Sequence, residues 1–142
     1  MTTGEMKWFP GEDKRMAKCV RKGRVPHLRI VPLHHPMHRP LEHAGSFVSC
    51  GARQESRSLH TTLTASGGLF NPPMLVVDAG DTLFGPGLTD TFYGAVIYDA
   101  KSERPVAYFT HPAVVVTCSY YRITWDANGL FSFPNKKEKD KS

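Results

Sequence analysis

Between Thr91 and Phe109, two apolar runs rich in β-branched and aromatic residues flank a short polar loop. That pattern predicts a β-hairpin. The first strand, Thr91 to Asp99, sets Tyr93, Ala95 and Ile97 on one face and Phe92, Gly94, Val96 and Tyr98 on the other. So few of these are polar that both faces are expected to be covered. Ala100 to Arg104 forms the loop, and Pro105 opens the return strand, a position where a strand tolerates proline.

The same reading extends over residues 44–134. Ser46 to Cys50, Ser58 to Thr64 and Met74 to Val77 are short strand candidates, separated by Ser-Gly-Gly and Asn-Pro-Pro loops. Gly85-Pro86-Gly87 reads as a break after the Leu83-Phe84 pair. Ala113 to Cys118 is a further β-branched run. Tyr120 to Trp125 alternates, with Tyr121, Ile123 and Trp125 in one phase. Asp126-Ala127-Asn128-Gly129 is a turn. Phe131 and Phe133 then share a phase before Pro134 stops the strand. Roughly seven short strands at close spacing, without an amphipathic helix, predict an all-β domain, a small antiparallel β-sandwich or barrel. Trp125, Phe131, Phe133, Tyr98 and Phe109 are its expected core anchors.

Residues 1–43 break that pattern. Prolines at 10, 26, 32, 36 and 40 exclude a long helix. Lys14 to Lys22 offers two helical turns, marginal for an isolated helix. Pro26 to Pro40 reads as extended and partly polyproline-like. The segment is therefore expected to be an extended or disordered arm. Leu28, Arg29, Ile30, Leu33 and Met37 are its candidate partner-binding residues. Residues 135–142, NKKEKDKS, read as a disordered Lys-rich tail.

Charge sharpens that division. The chain has 142 residues and a formal net charge of +5. Residues 1–43 contain nine Lys/Arg and four Asp/Glu, which accounts for the whole excess. A basic arm favours an acidic partner, whether nucleic acid, an acidic protein surface or a membrane face. No apolar run approaches the ~18 residues of a membrane span, and no signal-peptide stretch opens the chain. Cys19, Cys50 and Cys118 suit reduced, mostly buried thiols better than a disulfide framework or zinc site.

Candidate chemistry is sparse. Met74 to Phe84, MLVVDAGDTLF, resembles the nucleophile loop of haloacid dehalogenase-like phosphotransferases, with Asp78 as nucleophile. The second carboxylate, Asp81, falls one place too far along, and strands rather than alternating helices follow. His34 and His38 could chelate a metal from a helix, but Pro36 between them opposes that helix. Residues 44–134 hold five Lys/Arg against seven Asp/Glu, so their aromatics suit a core better than a base-stacking platform. The expectation is a protein that is not an enzyme and uses no metal or cofactor.

The order of motifs carries a further signal. Asp78-Ala79-Gly80-Asp81 precedes Leu83-Phe84. GAVIYDAKSERPVAYF follows from Gly94, then RITWDANGLFSF from Arg122. Cys50-Gly51-Ala52-Arg53-Gln54 lies upstream. Together these resemble a family of small virion structural proteins of tailed bacteriophages, over roughly residues 45–134. The resemblance implies a β-sandwich capsid decoration (cement) or minor head protein that binds the major capsid protein or other virion subunits. It would be located in a virion assembled in the host cytoplasm. A head-fibre or tail component is the alternative within that class, and a nucleic-acid-binding module using the basic arm is the alternative outside it. Homo-oligomers fit the first reading; a membrane partner fits neither.

Overall fold

The hairpin dominates the molecule. β6 (Thr82–Asp99) and β7 (Arg104–Ile123) are 18 and 20 residues long, far longer than the sequence breaks suggest. The structure is a computed structural model, and it describes residues 6–34, 57–66, 74–125 and 129–134. Gly85-Pro86-Gly87 does not end β6. It forms an irregularity inside a continuous strand, with register shifts between Phe84 and Leu88 and between Leu88 and Asp90. The two runs expected at 113–118 and 120–125 likewise merge, with β7 ending at Ile123. Asp99 closes the hairpin: its Oδ1 accepts from the N–H groups of Lys101 (2.9 Å) and Ser102 (3.2 Å). An Asp that hydrogen-bonds the backbone two residues on is a turn former, which fixes the loop where the sequence placed it.

Two antiparallel sheets are built on this pair. The remaining elements are β1 (Lys7–Trp8), α1 (Glu12–Arg21), β2 (Leu28–Leu33), β3 (Arg57–Ser58), β4 (Thr61–Ser66), β5 (Met74–Ala79) and β8 (Phe131–Pro134). The larger sheet runs β1-β7-β6-β2-β3 and the smaller β4-β5-β8. β5 and β8 flank the long hairpin in sequence and pair with one another, so one antiparallel pair is nested inside the other. Side chains fasten the two connections between the sheets. Trp125 Nε1 donates to Gly80 O at 2.9 Å, and Arg122 pairs with Asp81.

Over residues 6–34, the described part of the expected arm, the chain is integral to the fold. β1 pairs with β7 at Lys7 and Trp8. β2 is an interior strand that pairs with β6 along its whole length and with β3 at Arg29 and Ile30. Pro32 lies beyond the stretch that β3 covers, so its missing donor breaks no pairing on that flank. The Lys14 to Lys22 segment is helical because α1 presents Met16, Ala17 and Val20 to the core. Tertiary burial supplies what a ten-residue helix lacks alone. The helix stops at Gly23, which takes a φ of 78° and donates to Val20 O at 2.9 Å.

One core joins both sheets and the helix. It combines Leu28 and Ile30 of β2, Leu75 and Val77 of β5, Ile97 and Phe109 of the hairpin, and Phe131 and Phe133 of β8. A smaller cluster of Phe9, Val31, Leu33, Val96 and Tyr98 covers the opposite face of the larger sheet. Both faces of β6 are thus covered over residues 94–99, but the phase of the strand differs from simple alternation. A register shift between Phe92 and Gly94 puts Phe92 on the same side as Ala95 and Ile97, and Tyr93 with Val96 and Tyr98. Across this shift β6 advances two residues and β7 four, and Gly94 takes a φ of 141°, so β6 changes phase there.

Candidate functional site

The anchors Tyr98, Phe109, Phe131 and Phe133 are buried. Trp125 is half-buried at the core margin, its ring edge-on to Phe109 at 6.3 Å. Trp8, which the sequence assigned to the arm, stacks on Phe131 at 4.4 Å. The arm residues do not form a docking stripe. Leu28, Ile30 and Leu33 are fully enclosed. Arg29 is half-buried and donates to Ser58 Oγ at 2.8 Å. Met37 lies outside the described residues. The physical reason is the interior position of β2, which turns the apolar side chains of this stretch inward on both faces.

The catalytic candidates are dispersed. Asp78 is exposed, and its Oδ1 accepts from the N–H of Ala79. Asp81 is engaged by Arg122. His34 Nδ1 lies 3.2 Å from Asp90, its ring 5.0 Å from Phe92. His35 and His38 lie outside the described residues. Among the described residues, no three His, Cys, Asp or Glu are grouped to hold a metal. No helix among them is long and apolar enough to cross a membrane. Cys118 is exposed and Cys19 half-buried, so the expectation of mostly buried thiols fails for Cys118.

What the fold does present is a ribbon. Beyond Gly94 and Phe109, β6 and β7 continue without another described strand on either flank. Its inner side is buried through Phe84, Phe92, Val116 and Tyr121. Phe92 and Tyr121 stack with centroids 4.2 Å apart and planes 2° from parallel. His111 braces the ribbon: Nδ1 lies 2.7 Å from Pro112 O, and Nε2 lies 2.6 Å from the Tyr121 hydroxyl. Because a carbonyl only accepts, Nδ1 donates to Pro112, and Nε2 and the Tyr121 hydroxyl complete the brace. Burial pushes the Tyr121 phenol pKa up.

The outer side of the ribbon is unusual in composition. From Thr110 to Tyr120 the sequence has no Lys, Arg, Asp or Glu. Val115 is 73% exposed, Tyr120 49%, and Leu83 on the adjoining strand 45%. These three are the exposed large apolar side chains among the described residues, which makes the outer side of the ribbon the candidate contact surface. Prolines 86 and 112 and the shifts around Leu88 interrupt the strand edges, which opposes strand addition by another chain. Thr89 Oγ1 accepts from the Cys118 N–H at 3.0 Å and stands in for a backbone partner at this irregularity. Contact would therefore be made by the ribbon's face. In sequence, 113–118 is only one more β-branched run. β-branched composition alone does not distinguish a covered strand from an exposed ribbon.

Comparison of the chain with protein-family models, curated proteins and solved structures returns no match.

Proposed function

We propose that the chain is a structural protein of a tailed-phage particle, a capsid decoration or minor head protein whose β-sandwich docks on the major capsid protein. The observation that carries the reading is the exposure of Val115 and Tyr120 on the outer face of the ribbon, along a stretch of β7 (residues 110–120) without Lys, Arg, Asp or Glu. The sequence resemblance supplies the class of partner. The motifs behind that resemblance act as scaffold: Asp99 closes the hairpin, Trp125 ties Gly80, and Asp81 holds Arg122. Docking belongs to the ribbon rather than to Leu28, Ile30 and Leu33, since the latter are enclosed.

The test is co-sedimentation of the full chain with DNA-free capsid shells. Binding that is lost in Val115→Asp/Tyr120→Asp, with an unchanged circular dichroism spectrum, supports this docking mode. Affinity that depends little on salt fits an apolar contact. Failure of the wild-type chain to bind shells overturns the decoration role. Full binding by the double variant overturns the ribbon as its contact.

A further inference from the structure

The basic residues assigned to a dispersed arm are arranged on a helix. With 3.6 residues per turn, Lys14, Lys18 and Lys22 recur one turn apart, and the stripe spans about 12 Å. It faces away from Met16 and Val20, which are in the core. Lys14, Lys18, Lys22 and Arg24 are all exposed, and none takes part in an ion pair among the described residues. The neighbouring Arg15 is committed inward, with Nη2 2.8 Å from Glu12 and Nη1 3.6 Å from Asp99. Asp13, the exposed acid of α1, lies about 100° around the axis from Lys14.

This arrangement is costly for the helix. Like charges at i, i+4 repel. Favourable interaction with the helix dipole accounts for Lys18 and Arg21 in the last turn, but a cation at Lys14 near the opposite end gains nothing from it. Among the described residues, α1 itself has no exposed apolar side chain beside the stripe. A protein interface requires an apolar centre, and an interfacial membrane helix requires an apolar face. A phosphate backbone requires neither, because its affinity comes from cations that release counterions. About 12 Å of duplex carries roughly seven phosphates, enough for every cation of the stripe.

We propose that this face of α1 binds the phosphate backbone of duplex nucleic acid, without reading its sequence. The surface is separate from the ribbon, so this inference stands independently of capsid docking.

The test is fluorescence anisotropy of the full chain with a labelled random-sequence DNA duplex over a salt series. Four contacts give a log–log slope near −3.6, a loss of about 10²-fold between 50 and 200 mM salt. Lys14→Gln/Lys18→Gln/Lys22→Gln reduces that slope to about −1 and weakens binding at least tenfold at 50 mM salt. The circular dichroism spectrum and ribbon-dependent shell binding of this variant stay intact. The charge-reversed Glu triple abolishes DNA binding, and Val115→Asp leaves it unchanged. No wild-type binding at 50 mM salt overturns the proposal, as does equal binding by the Gln triple. Tighter binding to polyglutamate or to phosphatidylserine vesicles than to duplex overturns it in favour of an acidic protein or a membrane surface.

Discussion

Glu12, at the start of α1, lies 2.9 Å from the Arg104 guanidinium at the far end of the β6–β7 loop. The two are opposites in exposure: the Glu12 side chain is 4% exposed and that of Arg104 58%. Glu12 also holds Arg15, whose guanidinium burial alone would lower its pKa. The hydrogen bond and charge of Glu12, with the charge of Asp99, raise it instead. Removing the buried partner therefore costs more than removing the exposed one. Glu12→Ala is expected to lose about 1.5–3 kcal/mol, the range for hydrogen bonds to charged groups. Arg104→Ala is expected to lose less than about 1 kcal/mol, as exposed ion pairs do. Urea denaturation of both variants checks the order; equal losses would show that the buried carboxylate is not the centre of the cluster.

Truncation distinguishes a detachable arm from an integral segment. Residues 1–34 include β2, whose Leu28, Ile30, Val31 and Leu33 are buried. At about 1.5–3 kcal/mol for each enclosed aliphatic side chain, their loss rivals the whole stability of a typical domain. The fragment beginning at residue 35 is expected to be unfolded. Its far-UV circular dichroism should lack the sheet signal of the full chain, and its amide protection should be absent. A cooperative thermal transition in that fragment would contradict the interior position of β2.

Much of the sheet was legible because its signals are local. The hairpin loop follows from Asp99 and the polar residues after it, and the Tyr121/Ile123 phase follows from alternation. The N-terminal elements were not legible, for reasons that are long-range. β2 is covered on both faces, so LRIVPL shows no two-residue alternation, and Pro32 argues against a strand until the short reach of β3 is known. The three inward residues of α1 matter only once a sheet lies beneath them. The ribbon was not legible for the converse reason: Ala113 to Cys118 has the composition of a covered strand, but Val115 faces outward.

Gly94 is a sharp test of the irregularity that resets β6. It takes a φ of 141°, and a Cβ built there would lie 2.0 Å from Phe109 O. Backbone cannot yield as a flexible side chain can. Gly94→Ala is expected to cost more than about 4 kcal/mol, in the range reserved for severe backbone or packing defects. Gly87 also has a positive φ, 75°, but a Cβ there meets nothing within 4 Å. Gly87→Ala should therefore cost about 1–2 kcal/mol, the penalty for a left-handed non-glycine residue alone. Thermal denaturation of the pair measures the difference. Similar midpoints would mean that β6 passes Phe109 without the close approach.

Tyr121 links the ribbon to pH. Its ring is enclosed against Phe92, and its hydroxyl meets His111 Nε2 at 2.6 Å. Burial raises the phenol above its ordinary pKa of 10.0. The folded state thus keeps this proton at a pH where the unfolded chain has released it. The contribution is fully present below about pH 10 and is lost as the pH rises further, by up to about 1.4 kcal/mol per pH unit. Tyr121→Phe removes both the titration and the hydrogen bond to His111. At pH 7 the variant is expected to be less stable by about 0.5–1.5 kcal/mol, the net value of one hydrogen bond. As the pH rises past about 10, wild-type stability falls more steeply than that of the variant, and the gap narrows and then reverses. The other tyrosines are common to both proteins, so their titration largely cancels in the comparison. Urea denaturation of both proteins at pH 7, 9 and about 10.5 provides the test. Parallel pH profiles would show that the Tyr121 hydroxyl is solvated and that the inner side of the ribbon is open to water.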